Sequence, residues 1–98
     1  MGSNHCVIEG EIVELESLRF TPAGLARAAF KLRHHSMRQE AGMQRQVQCD
    51  VPALALGAVA EQVSRLQSGQ VVKAEGFLAQ RSLKIAQLVM HIDKVTLR

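Results

Sequence analysis

The chain has 98 residues, 47% hydrophobic and 21% charged, with 12 Lys and Arg against 9 Asp and Glu and a formal net charge of +3. That balance belongs to a folded globular chain rather than a disordered or fibrous one, and the length leaves room for one domain, residues 1–98, around one core. With no Trp, no Tyr and three Phe, at Phe20, Phe30 and Phe77, the core must be aliphatic, and so small a chain gains from a partner subunit.

From Cys6 to Leu15 the chain is rich in Val and Ile and is broken by Gly10, the mark of a first strand with a sharp bend. Phe20-Thr-Pro-Ala-Gly24 supplies turn chemistry. A second strand follows over Ala26 to His34, where Ala28, Phe30 and Leu32 alternate with Arg27, Lys31 and Arg33, so that one face is apolar and the other cationic. Ser36 to Arg45 is polar and without period and reads as a long hairpin loop. Gln46 to Val51 alternates again as a third strand. From Pro52 to Gln67, Leu56, Val59, Val63 and Leu66 recur at helical steps among alanines, which predicts an amphipathic helix that ends at Ser68-Gly69. Gln70 to Ala79 is a fourth strand with a bend at Gly76. A fifth runs from about Lys84 to Leu97, with a bulge near Asp93-Lys94 needed to bring Leu88, Met90 and Ile92 into phase with Val95.

Five short strands with one helix between strands three and four form the layout of the OB-fold, a mainly β, partly open Greek-key barrel. Phe30 and Phe77 are expected in or near its core. Cys6 and Cys49 read as small buried side chains, and the absence of further cysteines or of an opening signal-like segment favours a reducing cytoplasm. The longest apolar run, Val51 to Leu56, is six residues, against ~20 for a membrane span. Met1-Gly2 lacks the Ser or Thr that a myristoylation motif needs at position 6.

No chemistry of catalysis is legible. His34 and His35 would point to opposite faces of a strand, the cysteines lack ligand spacing, and no nucleotide-cradle, metalloprotease or nucleophile-elbow string occurs. Neither an enzyme nor a bound cofactor is expected. Charge is the informative feature: residues 1–18 sum to −4, 19–45 to +5 and 46–98 to +2. A polarised basic block is the footprint of a polyanion site. Arg27, Lys31 and Arg33, then Arg38 and Arg45 on the following loop, and Arg81 and Lys84 before the last strand, are expected to form one surface for single-stranded DNA. Few aromatics remain for base stacking, so phosphate contacts should dominate. A module that docks an acidic protein on the same face is the alternative.

Pro22-Ala-Gly24, Phe30-Lys-Leu-Arg-His34, Gln39-Glu-Ala-Gly42 followed by Arg45-Gln46, then Cys49, Pro52 and Gly76-Phe77, in this order, make the chain resemble the primosomal replication protein N (PriB) family. The related single-stranded DNA-binding proteins carry a long acidic-tipped tail, whereas this chain stops at Arg98, so a tail-less member of that family is a further alternative. The resemblance implies a homodimeric OB-fold protein of the replication-restart primosome that binds single-stranded DNA and stimulates the PriA helicase alongside other primosome proteins. It also implies that Arg45 contacts DNA and that Arg81 and Lys84 belong to a basic loop. Met43 and Gln48 stand where family members place aromatics, and the loop before the last strand is shorter and poorer in lysine. The resemblance then implies loose DNA binding, with Gln48 in the position of a stacking residue.

Overall fold

The structure, a computed structural model, describes residues 1–98. Its elements are β1 (Cys6–Val13), β2 (Arg19–Phe20), β3 (Ala26–Glu40), β4 (Met43–Leu56), α1 (Ala58–Ser64), β5 (Val71–Gln80) and β6 (Leu88–Leu97). Five of the strands follow one another as β1-β5-β6-β4-β3, and β3 returns to pair with β1 through Glu11–Arg33, Ile12–Leu32 and Val13–Lys31, which closes the barrel. Every pairing is antiparallel except β4 with β6. This is the expected OB-fold barrel. Two-residue β2 adds to the outer edge of β3. No helix is long and apolar enough to cross a membrane.

A five-stranded barrel has a narrow interior, and small side chains fill it. Of the 14 residues in the core, six are alanines, at 26, 28, 53, 55, 60 and 74; Ile12, Leu32, Met90 and Val72 supply bulk, and Phe30 is the one ring. The tight winding requires glycine at two points. A Cβ on Gly10 would lie 2.9 Å from the Arg33 carbonyl oxygen, where β1 leaves β5 for β3, and a Cβ on Gly76 would overlap the His91 carbonyl. Opposite Gly76, the ladder passes from Glu75–Lys94 to Gly76–Ile92, which leaves Asp93 as an extra residue in β6. That is the expected bulge. It puts Met90, Ile92 and Val95 together inside.

Three boundaries differ from the sequence reading. Ser36 to Arg45 is a continuation of β3 and β4, joined by a two-residue turn in which Ala41 and Gly42 have φ of 54° and 77°, the all-positive pair of a type I′ hairpin. Beyond the barrel both faces of this arm meet solvent, so its side chains have no reason to alternate. The helix is seven residues rather than sixteen, because Ala53 and Ala55 point into the barrel from β4, with Leu54 between them facing out. Only Ala60 and Val63 of the helix are buried, where α1 lies across one end of the barrel and Gln62 donates to the Val95 carbonyl at 3.0 Å. Finally, β6 begins at Leu88, not Lys84.

Candidate nucleic-acid interface

A groove of about 390 Å³ crosses the outside of the barrel. Ala29, Pro52 and Leu54 on the outer face of the β3–β4 wall make its floor; Arg27, Lys31, Arg81 and His91 stand along it, and so do Glu14 and Glu16. Because side chains alternate along a strand and cross-strand partners share a face, Arg27, Lys31 and Arg33 project outward together, as expected. The turn into β3 is tied down locally: the Gly24 N–H donates to the Thr21 carbonyl at 2.8 Å and the Leu25 N–H to Thr21 Oγ1 at 3.1 Å.

The structure does not bring all eight expected residues onto one surface. Arg27, Lys31 and Arg81 line the groove. Arg33 and Gln48 lie further along the same face of the hairpin, Arg33 opposite Asp50 and Gln48 opposite His35. Arg38 and Arg45 face each other across the ladder on its reverse side, and Arg45 is held by Glu40 at 2.7 Å. Lys84 sits on the fully exposed 81–87 loop and does not line the groove. That loop is closed at its base by Arg81, whose Nε donates to Gln87 Oε1 and whose backbone N–H donates to the Gln87 carbonyl, at 2.7 and 2.8 Å.

Nor is the face as basic as the block sum suggested. Lys31 is 3.2 Å from Glu14, and Arg33 grips Asp50 with two hydrogen bonds of 3.1 Å. The Arg33 hydrogen bond, and then its charge, hold the Asp50 carboxyl below the ordinary aspartate range and in return push the Arg33 guanidinium up. Arg27 and Arg81 have no carboxylate partner.

Phe77 corrects the expectation that it is committed to the core. Val72, Ala74 and Gly76 point inward, so Phe77 points out; it is 37% exposed and its ring stacks on that of His91, with centroids 5.0 Å apart and planes 12° from parallel. The strand's own period held this signal. Since His91 lines the groove, Phe77 extends it as a flat platform beside Leu54, Leu56 and Val59. Cys49 also departs from the reading, being exposed on the arm, while Cys6 is half-buried; both are free thiols. His34 and His35 take opposite faces. His34 Nδ1–H donates to the Glu9 carbonyl at 2.6 Å, and its Nε2 lies 2.8 Å from Ser36 Oγ.

A protein-family model described as another single-strand binding protein family matches residues 4–94. The replication restart protein PriB of Nitrosomonas europaea is 44% identical over 89 residues, which cover 91% of this chain and 82% of that one. The chain belongs to the PriB family, within the single-strand binding proteins. Among solved structures, PriB from Ralstonia solanacearum superposes with a TM-score of 0.89 at 32% identity, over 99% of this chain and all of that one. The single-stranded DNA binding protein from Thermus aquaticus shares the fold, with a TM-score of 0.80 at 24% identity over 99% of this chain and 50% of that one. For this PriB-family chain, the groove lies on the outer face of the β3–β4 wall, beside the loops before β3 and before β6, the surface on which OB-folds hold oligonucleotides.

Proposed function

We propose that the chain binds single-stranded DNA along the groove and, as a non-enzymatic accessory factor of replication restart in the cytoplasm, stimulates the PriA helicase. The observation that carries this is the adjacency of two guanidiniums without a carboxylate partner, Arg27 and Arg81, to an exposed Phe77–His91 stack. Binding single strands calls for cations that follow the phosphates and flat rings that take the bases. Arg27, Lys31 and Arg81 supply the first contacts, with Arg33 and Gln48 further out; Arg38, Arg45 and Lys84 reach only a strand that continues around the arm or the 81–87 loop. Family membership supports the restart role. A homodimer is part of the proposal: β1 pairs with β5 on one side, but its other side is unpaired ahead of Glu11, an edge suited to a second copy.

The test is the double charge reversal Arg27→Glu/Arg81→Glu, assayed by oligonucleotide titration at low salt and by helicase unwinding. Loss of both activities is expected. Retained stimulation without DNA binding would replace this reading with a protein-docking one. A monomeric mass in light scattering at micromolar concentration would remove the dimer.

A further inference from the structure

We propose that Glu14 and Asp50 are built-in competitors of phosphate that hold two of the interface cations in reserve and so set the salt threshold of DNA binding. The inference rests on the proposed DNA-binding face. Lys31 and Arg33, two of the three strand cations on the outer face, are each engaged by a carboxylate of the same chain, at 3.2 Å and through the double 3.1 Å contact. All four side chains are substantially exposed, from 38% to 63%, so these pairs do not serve to satisfy buried charge. They stand where an incoming backbone would run.

The backbone places each carboxylate beside its cation. Asp50 is the direct cross-strand partner of Arg33 in the β3–β4 ladder. Glu14 follows Val13, whose partner across β1–β3 is Lys31, and the segment beyond it is pinned along β3 by the Glu16 N–H, which donates to the Ala29 carbonyl at 3.0 Å. Glu14 adopts φ of 51°, a left-handed conformation uncommon for a residue other than glycine, asparagine or aspartate.

A phosphate that takes Lys31 or Arg33 must therefore expel a carboxylate. The expelled carboxylate then gathers counterions, so fewer ions are released in total and the dependence on salt is shallower than the cation count implies. Neutralising the carboxylate removes this competition. For single strands each phosphate neutralised contributes about 0.7 to the slope of log affinity against log salt. Glu14→Gln and Asp50→Asn should each steepen that slope by up to about 0.7, and each should tighten binding at low salt about two- to five-fold, the scale of an exposed ion pair.

The experiment is fluorescence anisotropy of a labelled oligothymidine over a salt series for the wild type, Glu14→Gln, Asp50→Asn and the double variant, with Glu61→Gln on α1 as a control of equal charge change. Circular dichroism confirms folding. The expected result is tighter binding and a steeper slope for the groove variants, abolished at the second site by adding Arg33→Ala to Asp50→Asn. If the wild type binds but the variants match it, or if Glu61→Gln does as much, the inference is overturned while the DNA-binding reading stands. If neither wild type nor variants bind at low salt, both fall.

Discussion

Replacing Phe77 with alanine separates stacking from phosphate contact. Base–aromatic stacking contributes about 1–3 kcal/mol per base, but one face of this ring is already covered by His91 and the side chain is 37% exposed. The lower part of the range applies, about 1–1.5 kcal/mol, equivalent to roughly a five- to twelve-fold loss of affinity. Because Phe77 touches no phosphate, the salt slope should not change. The cost in stability is also bounded: about two-thirds of the burial of a phenylalanine amounts to about 1–2 kcal/mol, against a total of about 5–15 kcal/mol for a domain of this size. Phe77→Leu sharpens the comparison, since it keeps the apolar contact but not the flat ring, and should recover stability without recovering affinity. Anisotropy titrations at two salt concentrations beside urea unfolding would check this. Wild-type affinity in Phe77→Ala, or a shallower slope, would refute the stacking role.

Gly76→Ala should destabilise by about 3 kcal/mol or more, because a methyl group there overlaps the His91 carbonyl and must part β5 from β6, adding lost ladder bonds to overpacking; Gly10→Ala, with its 2.9 Å approach to the Arg33 carbonyl, should cost less, and urea midpoints would rank the two. Ala28→Val, at a position with no exposure opposite Ala55, should cost about 1–3 kcal/mol by overfilling the barrel, with little change in DNA binding per folded molecule. The Arg33–Asp50 pair carries a pH signature. Its depressed carboxyl means that the pair's contribution to stability is fully present above the unfolded-state value and is lost as the pH falls through the lower folded value. The Asp50 carboxyl carbon shift in NMR should thus titrate below the ordinary aspartate range, and Arg33→Ala should move it up; titration of the wild type at the ordinary value would contradict the geometry.

The strands were legible wherever one face meets the core. Ala28, Phe30 and Leu32 alternate because Arg27 and Lys31 face water, and the misfit between Ile92 and Val95 pointed to a bulge near Asp93-Lys94, which the ladder puts at Asp93. Where that asymmetry vanishes, the pattern does too. On the arm, Met37, Gln39, Gln44 and Gln46 are exposed on the same face, and a polar strand with two wet faces has the composition of a loop. The helix overran because Ala53 and Ala55 suit a helix as well as a narrow barrel wall; the ladder to β3 and β6 decides between them. Of the residues along the groove, the outward direction of Arg27 and Lys31 was readable from strand parity, whereas the reverse-face position of Arg38 and Arg45 was hidden with the strands of the arm. The carboxylate partners of Lys31 and Arg33 were not readable, since Asp50 meets Arg33 only through a register that depends on the two-residue turn at Ala41-Gly42, and Glu14 reaches Lys31 only because β1 changes partners.

That register makes the arm and the groove a single mechanical body. At about 3.3 Å per residue, the 15 residues of β3 reach roughly 50 Å, comparable with the 49 Å long axis of the molecule, and the β3–β4 ladder is continuous from Arg27–Leu56 to Glu40–Met43. No joint stands between tip and barrel. A lateral load on Arg38 or Arg45 is therefore passed, as along a springy beam fixed at one end, toward the Ala29–Leu54 and Lys31–Pro52 pairs at the groove, and a sharp hinge between arm and barrel would require opening ladder bonds.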